Sequence, residues 1–380
     1  MRRKTRAETP KIAAGHIGWL EAAAVLFISS VSKIFLIYPV KISTDGQTAA
    51  WTVPMFSGLI SVVWVWCLVS VLREHPGEDI VSISRTLLGK YAAAVLGMAF
   101  YLLNLGLLIV GCRECSDSLA ITMLPLTPTK YVIVLGVAVS LFVALRGLEV
   151  LSRLCVVGAA LVILLLLATS LLAVDMWSVD SILPLFGPGA AKLLKVFGVR
   201  QSMYGEVLAL GILSPYLRKS SHAGKAARWA VGAAMVAFTL TLLVCEMVFP
   251  YPSLNRQAVP LIRVTRLIYL GRFFQRFEAI LAPTWLISGS LQTAAAILVA
   301  SLMLCSALSI RSLTPVLVVT AALTATAALF VSGITVAQQI DFDILRPYSV
   351  ILIDGWPIGL WIADRVRKRA RNAKGGNVRK

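Results

Sequence analysis

Lys33 and Glu206 are the two residues whose chemistry fits their surroundings least, because each sits inside a long apolar run. Charge within a membrane-length apolar stretch is costly, and it is kept where it faces a cavity, a partner charge or a ligand. Lys33 closes the run Ser29-Ser30-Val31-Ser32-Lys33, ahead of Ile34-Phe35-Leu36-Ile37-Tyr38-Pro39. Hydroxyls and an ammonium packed this closely suit a broken helix whose unwound carbonyls and amides face a cavity. The plainer arrangement has the serines bonding back to their own helix and Lys33 reaching toward the membrane surface. Glu206 follows Ser202-Met203-Tyr204-Gly205, where the glycine permits an unwound turn. Its plainer role is a protonated carboxyl that only holds helices together. If both face one cavity, Lys33 would meet the carboxylate of a zwitterion and Glu206 the ammonium, and the two would pair with each other without ligand.

Other polar residues within apolar runs point the same way with less force. Tyr101, Asn104 and Trp285 either line such a cavity or pack between helices. Asp354-Gly355 either lines an outer vestibule or caps a kink, Glu246 is expected at the interface, and Glu21 is expected to meet a cytoplasmic arginine. No grouping suggests catalysis or a bound cofactor. There is no GxGxxG, no phosphate-binding loop and no Ser-His-Asp set, and the Cys112/Cys115 pair lacks a second pair or a nearby histidine to hold zinc.

The elements that must position these residues are membrane spans. Of the 380 residues 58% are hydrophobic and 14% charged, with mean hydropathy +0.84. That composition excludes a soluble enzyme, a disulfide-stapled secreted domain and a disordered interaction protein. Ten apolar stretches are expected to span, at approximately 17–39, 48–72, 91–112, 131–146, 152–174, 195–214, 229–250, 278–306, 313–333 and 346–363. The net charge of +18 lies largely in two basic cytoplasmic tails, 1–16 and 364–380, flanking a single transmembrane domain over 17–363. This placement argues for a lipid bilayer rather than nucleic acid as the partner of the basic charge. With both termini cytoplasmic, the inner segments carry 23 of the 36 basic residues and the outer segments 12, leaving Lys33 within a span. The exception is the outer 251–277 loop, which holds five arginines and reads as a folded, partly amphipathic lid. Spans one and six, the two with breaks, hold corresponding positions in two halves of five, an arrangement typical of transporter binding sites.

Several segments in order carry a family resemblance: Lys33-Ile34-Phe35-Leu36-Ile37-Tyr38-Pro39, Arg113-Glu114 with Leu124-Pro125-Leu126-Thr127-Pro128, Arg146-Gly147-Leu148-Glu149, Leu183-Pro184-Leu185-Phe186-Gly187, Tyr204-Gly205-Glu206, Pro260-Leu261-Ile262-Arg263 and Phe274-Gln275-Arg276-Phe277-Glu278 with Trp285. The chain resembles the GerAB-type B subunit of spore germinant receptors, within the amino acid–polyamine–organocation superfamily. The resemblance implies an all-α membrane protein of about ten helices in a LeuT-like 5+5 inverted repeat, with broken first and sixth helices that clasp the ligand. By position, the clasp falls on Ser29, Ser30, Val31, Ser32 and Lys33 and on Tyr204, Gly205 and Glu206. It also implies an amino acid or similar small germinant, partnership with an A-type membrane subunit and a C-type lipoprotein, and residence in the spore inner membrane. A proton-coupled amino acid permease is the alternative. A Gly-rich turn is common at the first break of the superfamily; the serines and Lys33 here depart from it, so Lys33 would supply positive charge that a cation supplies elsewhere.

Overall fold

The computed structural model describes residues 16–269 and 277–376, with side chains through Ala370. Among these residues the regular structure is helical apart from one isolated bridge. The helices are α1 (Trp19–Val31), α2 (Tyr38–Gly46), α3 (Thr52–Glu74), α4 (Ile80–Leu87), α5 (Lys90–Thr122), α6 (Thr129–Leu145), α7 (Leu148–Leu172), α8 (Ala190–Arg200), α9 (Ala209–Leu213), α10 (Ser221–Val248), α11 (Pro260–Leu267), α12 (Glu278–Leu308), α13 (Leu313–Phe330), α14 (Ile334–Gln339) and α15 (Arg346–Gly376). By length and composition α3, α5, α7, α10, α12 and α13 can each cross a bilayer alone, and α1 with α2 forms a seventh candidate bent by 74°. The other three apolar stretches take other forms. α6 is apolar but has 17 residues. The sixth stretch is divided between α8, a 3-10 segment and α9. In the tenth, Arg346, Asp354 and Pro357 interrupt the apolar run of α15.

The expected first break is present, and it falls at the end of the serine run. α1 stops at Val31, Ser32–Phe35 tighten into a 3-10 turn, and Leu36 is extended (φ −103°, ψ −155°) before α2 begins with Pro39 in its first turn. Proline supplies no N–H and is at home in a helix's opening turn, so it starts the second half where it would disrupt a continuous helix. Ser32 fixes the bend: its hydroxyl donates to the Ile28 carbonyl at 2.8 Å and lies 3.1 Å from that of Ser288 on α12. The sixth stretch breaks more extensively, with a 3-10 helix of eight residues from Gln201 to Leu208. Runs of that length are uncommon because 3-10 hydrogen bonds have poorer geometry, and they often mark functional joints. The beginning of the first stretch and the end of the sixth are joined, Ile17 N donating to Tyr216 O at 2.9 Å and Arg218 N to Ile17 O at 3.0 Å.

Small residues set the closest helix contacts, as expected where lipid leaves no hydrophobic drive for one helix to seek another. A Cβ placed on Gly97 of α5 would come within 2.8 Å of the Ala307 Cβ on α12, and one on Gly158 of α7 within 2.8 Å of Leu291 on the same helix. The expected amphipathic lid is partly visible as α11, which buries Leu261, Ile262 and Val264 and exposes Arg263 and Arg266; Arg266 donates to the Thr122 carbonyl at 3.0 Å. Arg272 and Arg276 lie outside the described residues, as does 1–15 of the amino-terminal tail. The carboxy-terminal tail begins as a continuation of α15, whose Asp364 contacts His75 at the end of α3 at 3.4 Å and Lys368 of its own helix at 2.9 Å. Glu21 accepts the Gly18 N–H at its own helix start and pairs with no arginine among the described residues, while Arg2, Arg3 and Arg6 lie outside them. Glu246 is fully buried rather than interfacial, and accepts the Trp51 N–H at 3.3 Å.

Candidate functional site

Three irregular helical segments converge on one charged cluster. Two are the 3-10 segments at Ser32–Phe35 and Gln201–Leu208; the third is a π-helical segment, Ile340–Leu345, just ahead of α15. Tightened and widened helices leave carbonyls outside the usual i to i−4 ladder, and such segments recur at functional sites. Here the freed carbonyls are used. Lys33 Nζ donates to Met203 O at 2.9 Å, and Arg346 Nη1 donates to Ser202 O at 3.1 Å.

Glu206 joins the two cations. Its Oε1 lies 2.8 Å from Lys33 Nζ and 3.0 Å from Arg346 Nη1. Arg346 Nε then reaches Asp341 Oδ1 at 3.1 Å, so four charged groups form a chain, Lys33–Glu206–Arg346–Asp341. Residue burial is nearly complete for Lys33, Asp341 and Arg346, which expose 3%, 4% and 4%. Tyr38 lies alongside both cations, its ring centroid 5.4 Å from Lys33 Nζ and 5.7 Å from the Arg346 guanidinium carbon. Burying these charges is tolerable because each meets an opposite charge or a carbonyl. Spare donors remain. Lys33 engages two acceptors out of the three its ammonium can serve, and among the described residues Arg346 Nη2 has no protein acceptor.

The cluster forms part of the wall of a cavity of about 420 Å³, enclosed by α5, α6, α12 and the irregular segments. Ser29, Ser32, Lys33, Asn104, Glu206 and Trp285 all line it. The remaining expected residues do not. Ser30 and Val31 are buried on other sides of α1. Tyr204 sends its hydroxyl to Pro54 O at 2.7 Å and sets its ring edge-on to Phe238. Gly205 faces Ile353, which a Cβ there would meet at 2.3 Å. Tyr101 points toward α13, with its hydroxyl 3.4 Å from Thr320 Oγ1. Asp354 accepts from Gln201 at 2.8 Å and is not part of the lining.

Sequence reasoning missed Arg346, Asp341 and Glu114, all of which line the cavity. The available signal was the charged triplet Arg113, Glu114 and Asp117 within what proves to be a 33-residue helix. Arg113 Nε bonds Asp117 Oδ2 at 2.8 Å one turn on, which neutralises those two and leaves Glu114 on the cavity side. Cys112 and Cys115 also line the cavity as free thiols, and no grouping among the described residues could hold a metal ion.

The family model described as "Spore germination protein" matches residues 17–348. Two curated relatives from Bacillus subtilis (strain 168) are similar. Spore germination protein YndE is 21% identical over 247 residues, covering 64% of this chain and 66% of the relative. Spore germination protein A2 is 19% identical over 254 residues, covering 66% and 70%. The chain thus aligns with about two thirds of each relative's length. Among solved structures, Mhp1, a nucleobase-cation-symport-1 family transporter in a closed conformation with bromovinylhydantoin bound, matches with TM-score 0.68 at 15% identity, covering 92% of this chain and 80% of that one. A substrate-bound, outward-open sodium-coupled sialic acid symporter matches with TM-score 0.68 at 10% identity, covering 95% and 92%. At those identities the likeness is one of fold: all-helical, multi-pass and LeuT-like.

Proposed function

This chain belongs to the spore germination protein family of membrane permeases, and from that premise we propose that it is the ligand-binding membrane subunit of a spore germinant receptor. The observation that carries the reading is the paired Lys33 and Glu206 on the wall of one cavity, where the two broken stretches meet. A cavity of about 420 Å³ suits a small molecule, and its polar wall presents two cations beside three carboxylates, Glu206, Asp341 and Glu114. The ligand is an amino acid or a close analogue. Its carboxylate docks on the spare donors of Lys33 and Arg346, and its ammonium meets the acidic side. Spare donors matter because the ligand can then arrive before any existing ion pair breaks. In this reading the chain resides in the spore inner membrane and works with an A-type membrane subunit and a C-type lipoprotein, to which occupancy of the cavity is signalled.

Thermal unfolding of the purified protein against a panel of amino acids tests the reading. At least one should stabilise it, and Lys33→Met should weaken that ligand by about tenfold or more, the loss of one charge-assisted contact. Native affinity in Lys33→Met would refute the site. The fold shared with two symporters favours one second reading, a working amino acid permease. Uptake of labelled amino acid by vesicles containing this chain alone would select it.

A further inference from the structure

Glu114 is the one carboxylate on the cavity wall that the charged chain leaves out. It is 98% buried (2% exposed), and its Oε1 has no hydrogen-bond partner among the described residues. Its charged surroundings are Asp341, Arg346 and Lys41, and it forms an ion pair with none of them. Arg346 is committed to Glu206 and Asp341, while Lys41 lies over the Phe342 ring, 5.7 Å from its centroid, and is not part of the lining. The lining therefore holds two basic side chains, Lys33 and Arg346, against three carboxyl groups, Glu206, Asp341 and Glu114. A buried acceptor without a partner is costly, and a charged one more so, unless something that enters the site satisfies it.

From this arrangement we propose that Glu114, rather than Glu206, receives the ammonium of the ligand and so makes the cavity selective for amine-bearing molecules. The proposal rests on the reading of the cavity as the ligand site and adds which residue chooses the ligand's charge. Glu206 also has a buried oxygen without a partner among the described residues, its Oε2, but two cations already share its Oε1, so a third would meet their repulsion. Glu114 meets no such competition in contact. The cavity wall beyond the charges is apolar, with Leu107, Leu108, Val137 and Val299 among its residues, so the amine should carry a hydrocarbon body.

The test uses three matched probes on the purified full chain: leucine, 3-methylbutylamine, which lacks the carboxylate, and 4-methylpentanoate, which lacks the amine. Glu114→Gln keeps the side chain's size and removes no hydrogen bond of Oε1, so thermal stability should hold. Binding of at least one amine-bearing probe should weaken by about tenfold or more, and 4-methylpentanoate binding should not. Glu114→Asp should retain part of the amine binding. The proposal is overturned if Glu114→Gln binds leucine and the amine as wild type does, if it loses all three probes equally, or if wild type binds neither amine at millimolar concentration. Gly111→Phe separates the two levels of the argument, since Gly111 lines the cavity and a Cβ there meets nothing within 4 Å. If Gly111→Phe blocks leucine while Glu114→Gln does not, only the assignment to Glu114 fails. If Gly111→Phe leaves leucine binding unchanged, the cavity is not the ligand site and both fail.

Discussion

Removing Glu206 should destabilise the protein more than removing Lys33, because Glu206 is the shared partner and Lys33 is not. In Glu206→Gln the two cations lose their common anion. Both contact one oxygen, at 2.8 and 3.0 Å, so their nitrogens lie within about 6 Å of each other. At an effective dielectric near 20, that repulsion is about 3 kcal/mol. The total falls within the roughly 3–5 kcal/mol that breaking a buried ion pair from one side costs. In Lys33→Met the contacts with Glu206 and with the Met203 carbonyl are both lost, but the buried ammonium goes with them and Glu206 keeps Arg346 at 3.0 Å, so no charge is left alone and about 1.5–3 kcal/mol is expected. The double variant Lys33→Met/Glu206→Gln leaves Arg346 paired with Asp341 and should recover stability over Glu206→Gln alone. A thiol-reactive fluorophore suits the measurement, since five of the six free cysteines are buried and become reactive on unfolding. Lys33→Met as damaging as Glu206→Gln, or a double variant less stable than both, would show that Glu206 does not bridge the cations.

Three further outcomes follow from other parts of the molecule. A cysteine placed at the exposed Arg256, in a background without native cysteines, should react with an impermeant reagent from outside; reaction only after permeabilisation would invert the topology. Gly97→Val should cost about 1–3 kcal/mol by overpacking α5 against α12, and Ala307→Gly should restore part of it; no loss of thermal stability would mean the helices are not in that contact. Truncation after Ala370 should leave ligand affinity within about threefold, because the contacts of Asp364 and Lys368 with α3 remain; a larger loss would tie the distal tail to the site.

Lys33 and Glu206 were legible because a charge inside an apolar run is conspicuous whatever the fold. Tyr204 and Gly205 share the second motif but turn away from the cavity. A 3-10 helix has about three residues per turn, so neighbours of a cavity-facing residue point to other flanks, here toward α3 and Ile353. Arg346 and Asp341 were hidden for the opposite reason. They stand at the edge of an apolar stretch, where charge is ordinary, and only the π-helical segment carries them into the interior. Glu114 was hidden by its neighbours: Arg113 and Asp117 end the hydropathy run after Cys112, yet the helix continues to Thr122 because that pair bonds within it. The breaks themselves were readable from Ser32, Pro39 and Gly205, but the length of the 3-10 segment at Gln201–Leu208 has no signature in residue type.

The oxygen shared at Glu206 also constrains how the molecule can respond. The break after α1, the 3-10 segment before α9 and the start of α15 are distant in sequence, yet a single atom fastens all three. The carbonyls of Met203 and Ser202 hold the same two cations, so the tie would loosen as a whole only where another anion drew both cations away from Glu206 and from these carbonyls together. A ligand of a few atoms bound here, as proposed, would act through the number of segments that depend on one point rather than through the area it covers. In the proposed function, a ligand acting at this point would need no relay of contacts between distant sites, because the three segments already meet at the place of binding.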